Sequence, residues 1–158
     1  MKIAALLGIC CLIIGCGTVA VIPHNHPATF SDLGNGIIFV DTTKVSWPKE
    51  ARHYVTAMSW ADASKYVEGL NSAQYLGHTD WRLPTAEELM TLVDDRNGKS
   101  GQEYLESKGF VNVGYEYWSS SSNTLDWTGS IYVNIAGGAY GQKAKYATEY
   151  VWPVRSGK

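Results

Sequence analysis

The residues able to do chemistry are few, and most stand where chemistry is hard to assemble. The only cysteines are Cys10, Cys11 and Cys16, so the body of the chain has no thiolate for zinc, no internal disulfide and no sulfur nucleophile. Ser119, Ser120, Ser121 and Ser122 offer hydroxyls, but no base stands at a recognisable spacing. No Gly-x-Ser-x-Gly elbow and no His-Glu-x-x-His pair occurs. His53 and His78 are isolated and read as surface or hydrogen-bonded imidazoles. His24 and His26 lie between Pro23 and Pro27 with no third ligand nearby, which reads as linker. Asp95, Asn97 and Gly98 fit positions three, five and six of a calcium loop. Val93 and Tyr104 then fall where that loop needs acids, so the match fails, and an unrelated acidic site at Asp94 and Asp95 stays open. The expectation is a protein that is not an enzyme and holds no metal or cofactor.

Binding is the better prospect. The chain carries 6 Trp and 10 Tyr against 3 Phe, a bias toward rings with a polar handle that suit half-wet faces as well as cores. Trp118 and Trp127 flank the serine run, Tyr140 follows a Gly-Gly turn, and Lys143 and Lys145 lie just beyond. Aromatic faces stack on sugar rings and lysines pair with sulfate or carboxylate, so these five are the candidate ligand-binding residues. Such aromatics are as often core, Trp118 especially. Net charge is −2, which leaves no broad basic field and argues against nucleic acid as partner. The charge is uneven: Lys143, Lys145, Arg155 and Lys158 face Glu149 alone after Ser130. That distribution is either a modest basic patch or simply a solvated strand face.

These residues need a scaffold, and the pattern describes one from Gly36 onward. Ile37, Ile38, Phe39 and Val40 form an apolar strand after the Asn35-Gly36 turn, with Val45 and Trp47 as hairpin partner. Ser59 caps a helix with Asp62 three residues on, and Trp60, Ala63, Val67 and Leu70 share a face. Thr85 and Glu88 form a capping box for a second helix that buries Leu89, Leu92 and Val93. In the segment before it, Trp81 and Leu83 are expected to fill core, Arg82 to satisfy a buried carboxylate or carbonyls, and Pro84 to fix helix entry. The rest alternates as β: Val111, Val113, Tyr115, Tyr117; then Ile131, Val133, Ile135; then Tyr146, Thr148, Tyr150, Trp152, with Pro153 marking an edge or bulge. Two helices packed on an antiparallel β-sheet make the fold class α+β.

Residues 1–15 read as a leader. Lys2 precedes the uninterrupted apolar stretch 3–14, and Leu12-Ile13-Ile14-Gly15-Cys16 resembles a lipobox. The resemblance implies lipidation of Cys16, with residues 16–30 as tether and 31–158 as the domain. An uncleaved transmembrane helix over residues 3–22 is the competing reading, weakened by Gly8, Gly15, Gly17 and Thr18. One acyl chain at about 0.8 kcal/mol per CH₂ holds only marginally, whereas two or three anchor firmly. Gly17, where Asp would suggest inner-membrane retention, points by resemblance to the outer membrane.

Four further motifs occur in order: Ser59-Trp60-Ala61-Asp62-Ala63, Asp80-Trp81-Arg82-Leu83-Pro84-Thr85 with Glu88-Leu89, Tyr117-Trp118-Ser119-Ser120-Ser121, and Val151-Trp152-Pro153-Val154-Arg155. Together they resemble the Lcl C-terminal domain family, named after a collagen-like bacterial adhesin whose domain binds sulfated glycosaminoglycans. Residues 82–88 also resemble a signature of the formylglycine-generating enzymes, which implies a C-type-lectin-like architecture; the thiol chemistry of those enzymes is excluded for want of cysteines. Val67 and Trp152 stand where many relatives carry a cysteine pair, and the sugar-binding Glu-Pro-Asn and Trp-Asn-Asp signatures are absent. Trp60, Trp81, Arg82, Pro84 and Glu88 are then structural motif residues. The function implied is an envelope lipoprotein with a non-catalytic, adhesion-type module for carbohydrate or anionic polysaccharide. A structural or protein-interaction lipoprotein, partnering an envelope protein, is the alternative, and an unrecognised hydrolase the third reading. Cys16→Ser is expected to abolish palmitate labelling and membrane retention; persistence of both would contradict the anchor.

Overall fold

Four apolar residues in a row leave no side of a strand for water, so Ile37-Ile38-Phe39-Val40 must be covered on both faces. In the computed structural model, which describes residues 28–53, 56–93, 101–122 and 129–158, they form β2 (Ile37–Val40), buried throughout. The hairpin partner is β3 (Val45–Pro48), with Ile38 opposite Trp47 and Val40 opposite Val45. A short strand β1 (Phe30–Asp32) flanks β2. The far edge of this antiparallel sheet is β7 (Arg155–Ser156), giving the order β1-β2-β3-β7. A second antiparallel sheet has the order β4-β5-β6, formed by β4 (Glu116–Trp118), β5 (Gly129–Asn134) and β6 (Ala139–Ala144).

The helices start where their caps dictate. For α1 (Trp60–Ser72), the Ser59 hydroxyl accepts the Asp62 N–H at 3.2 Å, and Ala63, Val67 and Leu70 are buried. Near its end Asn71 grips the next segment twice: its amide donates to the Trp81 carbonyl at 2.9 Å and its Oδ1 accepts the Trp81 N–H at 2.7 Å. Thr85 Oγ1 accepts the Glu88 N–H at 3.1 Å while the Glu88 carboxylate accepts the Thr85 N–H at 2.8 Å, closing the capping box of α2 (Ala86–Met90). A further helix, α3 (Gly101–Ser107), buries Tyr104 and Leu105. Gly101 is required there, because a Cβ would collide with the Ile135 carbonyl.

Several elements differ from the sequence expectation. The architecture is mixed α+β, but with two antiparallel sheets and, among the described residues, three α-helices instead of two on one sheet. The alternation from Val111 to Tyr117 does not share a face. Val113 and Tyr117 are buried, whereas Val111 is 45% and Tyr115 62% exposed. Asn112 takes a left-handed conformation (φ 55°), and the strand is confined to Glu116–Trp118. Ile135 lies in the turn after β5 and not in the strand. β5 pairs with both β4 and β6, and the run from Tyr146 to Trp152 forms no regular strand: within it Tyr146 is 87% exposed and Trp152 fully buried.

From Glu149 on, that run joins an irregular seam, residues 149–156, whose backbone meets the segment before α1, β4, Arg82 and β3 in turn. Glu149 and Met58 exchange backbone hydrogen bonds of 2.9 and 3.1 Å; Tyr150 accepts from Trp118 at 3.0 Å and donates to Glu116 at 3.2 Å. Val154 and Arg82 exchange bonds of 2.8 and 2.9 Å, and Arg155 pairs opposite Ser46 in β7. Changing partner every few residues is incompatible with a regular ladder, and the buried Pro153, which has no N–H to donate, falls between two of these partners. Along the seam Val151 enters the cluster of Ile37, Ala63, Val67, Leu70, Trp81, Leu83 and Trp118, whereas Trp152 enters the other, larger cluster. The residue grouped with Val67 is therefore Val151. Trp152, which by resemblance stands with Val67 at the places of a cysteine pair in many relatives, packs in the other cluster.

Trp152 is the hub of the larger cluster. Its ring meets Trp47 at 5.0 Å, Phe110 at 5.0 Å and Tyr117 at 5.4 Å, and its indole N–H donates to the Pro48 carbonyl at 2.9 Å. Trp152→Ala removes all three ring contacts and leaves that carbonyl without its donor. A loss of about 3–5 kcal/mol is expected in urea unfolding of the variant; a loss under about 1 kcal/mol would contradict the hub.

At α2 the Arg82 guanidinium forks onto Glu88, with bonds of 2.8 and 2.6 Å. Burial alone would raise the Glu88 carboxyl, but Arg82 and the Thr85 N–H outweigh it and hold it below the usual glutamate range. A depressed carboxyl contributes stability above its unfolded pKa and loses it as pH falls through the folded one. Because Arg82 is still 40% exposed, Glu88→Gln is expected to cost only about 1 kcal/mol at neutral pH. That difference should vanish on acidification below the glutamate range, read from paired urea titrations; a constant difference would contradict the ion pair.

Candidate functional site

In a strand neighbouring side chains alternate between faces, and this separates the sequence candidates. Tyr140 lies opposite Val133 and packs against the larger cluster, whereas Lys143 lies opposite Ser130 on the face that carries Tyr132. Tyr140 and Lys143 therefore do not share a surface. Trp118 offers none at all: it is fully buried and its indole N–H donates to the Met58 carbonyl at 2.8 Å. As a ligand-stacking residue Trp118 is corrected to core, because its place in β4 faces the α1 side of the molecule. Trp127, Cys16, His24, His26, Asp94 and Asp95 lie outside the described residues.

What the fold brings together on this side is a mixed polar and aromatic face. Lys143 Nζ bonds Glu116 at 2.8 Å and also bonds Glu149, while sitting 4.2 Å from the centre of the Tyr132 ring. Asn134 donates to Glu116 at 3.2 Å. Burial opposes the Lys143 charge, but the two carboxylates outweigh it and raise its pKa. Glu116 is also penalised by burial, yet Lys143 and Asn134 pull it below the usual range. Glu149, only 6% exposed, goes the other way: burial raises it, Lys143 offsets part of that, and the like charge of Glu116 adds to it. With one ammonium between two carboxylates, Lys143 is no free anchor for sulfate.

Lys145 is placed differently. Just past β6, its carbonyl accepts the Trp60 N–H at 3.1 Å, and its ammonium lies 4.9 Å from the centre of the Trp60 ring. No carboxylate pairs with it among the described residues. The Trp60 ring is itself fixed, its indole N–H donating to the Ser119 carbonyl at 3.0 Å. The neighbouring Tyr146 is among the most exposed large side chains. Trp60, Lys145 and Tyr146 thus stand at one end of α1 and the β6 exit.

Three hydroxyls of the serine run hold neighbouring backbone. Ser119 Oγ donates to Ile131 at 2.8 Å and Ser120 Oγ to Pro84 at 3.2 Å, while Ser121 Oγ accepts the Ala86 N–H at 3.0 Å. Ser121 thereby supplies α2 with a second cap from across the fold. His53 packs on Tyr75 at 4.5 Å with the rings tilted by 40°, and His78 meets Trp81 edge-on at 6.1 Å. Among the described residues no three His, Cys, Asp or Glu side chains cluster as metal ligands. Trp81 is buried with its indole N–H on the Tyr75 carbonyl at 2.9 Å, and Pro84 is buried. Glu116, Tyr132, Asn134 and Glu149 are not among the sequence candidates, since alternation along a strand does not report which elements meet across the fold.

Residues 36–155 match the profile of the Lcl C-terminal domain. No curated relative matches the chain. The matched domain is of adhesin type and is not a known enzyme family. Since the match spans well over half of the sequence, the chain belongs to the Lcl C-terminal domain family.

Proposed function

We propose that this chain is an outer-membrane lipoprotein, anchored through Cys16, whose non-catalytic domain binds carbohydrate or anionic polysaccharide. The observation that carries the reading is Lys145, an ammonium without a carboxylate partner among the described residues, held 4.9 Å over the Trp60 ring beside the exposed Tyr146. A ring fixed by its own hydrogen bond and a cation poised on it offer stacking and charge within one contact. We assign the ligand face to Trp60, Lys145 and Tyr146, and set Lys143 aside because its charge is already met. A C-type-lectin-like arrangement belongs to the same proposal. It is supported by β7 closing the sheet of β1, β2 and β3, with a smaller second sheet beside it.

A second reading, docking of an envelope protein, draws on Tyr115 at 62% and Val111 at 45% exposure, which lie away from Lys145 in the chain. The test is binding of the purified full chain to a glycan array at low and high salt. Expected are binding that weakens with salt and a loss of about tenfold in affinity for Lys145→Ala and for Tyr146→Ala, on the order of 1.4 kcal/mol each. No glycan bound at any salt would sink the carbohydrate reading; a single protein recovered by cross-linking through Tyr115 would establish the second.

A further inference from the structure

The Glu116, Lys143 and Glu149 cluster has no part in the proposed ligand face, yet it joins three elements. Glu116 comes from β4, Lys143 from β6 and Glu149 from the first position of the seam, where its backbone also bridges Met58. Facing Glu149 from β6 is the Lys143 ammonium, and from β4 the Glu116 carboxylate. From β5, Tyr132 and Asn134 contact Lys143 and Glu116, and among the described residues before α1 the Met58 backbone bonds Glu149. Lys145, the next cation along, is turned onto Trp60. Among the described residues, the cluster with every group ionised therefore carries two carboxylates to one ammonium, and the Glu149 side chain is almost wholly removed from water.

Burial of net charge is costly, and two carboxylates bridged by one ammonium repel one another. One proton removes both penalties. It would sit on Glu149, the more buried of the two, and leave Lys143 and Glu116 as a neutral ion pair. We propose that Glu116, Lys143 and Glu149 form a proton-operated clasp, in which uptake of one proton tightens the hold of the seam on the second sheet. The direction of the Glu149 shift, upward from burial first and then from Glu116, agrees with this. The sign is opposite to that of the Arg82–Glu88 pair. A carboxyl raised in the folded state penalises stability above its folded pKa, and the penalty is relieved as pH falls through that value toward the unfolded one.

The test follows urea unfolding of the full-length protein and of Glu149→Gln from roughly pH 8 to pH 5, together with the side-chain carboxyl carbon resonance of Glu149. The stability of the natural chain relative to Glu149→Gln should rise as pH falls. Glu116→Gln, which removes the repelling charge, should move proton uptake at Glu149 to lower pH. Lys143→Met, which removes the compensating one, should move it to higher pH, each by about one unit or tenfold in proton affinity. A purely structural role would not produce opposite shifts from these two variants. Parallel stability profiles for the natural chain and Glu149→Gln, or shifts of the same sign in the two other variants, would overturn the clasp. Should Glu149→Gln fail to fold, the resonance shifts in the remaining two decide the matter.

Discussion

Residues 149–156 do in one stretch what a regular strand does in a ladder, but with a different neighbour at almost every step. The segment ties the residues before α1, the strand β4, the approach to α2 and the hairpin strand β3 to a single piece of backbone. Each such hydrogen bond contributes only about 0.5–1.5 kcal/mol net, whereas a buried N–H or C=O left without a partner costs about 1–3 kcal/mol. The seam is thus better understood as preventing loss than as adding gain: if it lifts, polar groups in four elements are orphaned together. Its side chains repeat the logic, Val151 filling one apolar cluster and Trp152 the other. Without disulfides in the domain, this double occupancy joins the two clusters into one cooperative unit.

The same constraint shapes the polar face. To place Val151 and Trp152 on opposite sides the backbone must turn Glu149 inward, and a carboxylate in that position needs a cation. Lys143 reaches it from β6 and, in doing so, is withdrawn from any external anion. Lys145, two residues on and past the end of the strand, escapes this demand and settles on Trp60 instead. Similar lysines separated by one residue thereby acquire different partners, one a pair of carboxylates and the other an indole ring.

Local signals in the sequence were legible wherever they were complete in themselves. The Ser59 and Thr85 caps, the β2–β3 hairpin and the apolar face of α1 all depend on residues within one turn or one hairpin of each other. The seam was not legible, because alternation at Tyr146, Thr148, Tyr150 and Trp152 has the period of a strand. Nothing local reports that its partner changes from Met58 to β4 to Arg82. α3 was missed since Gly101 opens it, a poor helix former required by the close approach of Ile135. The candidate site was legible only in part. Lys145 is a candidate in both the sequence and the proposed face, whereas Trp60 reads from sequence as structural, and the burial of Trp118 and the engagement of Lys143 follow from tertiary contacts between residues far apart in sequence.

The most direct measurement of the seam's role is native-state amide hydrogen exchange on the full-length chain. The amides of Met58, Arg82 and Trp118, which donate to Glu149, Val154 and Tyr150, lie in three separate elements. If the seam joins them into one unit, all three exchange only through global unfolding, with the same opening free energy as the amides of β2. Exchange of any of them through cheap, independent local openings, while β2 stays protected, would contradict it.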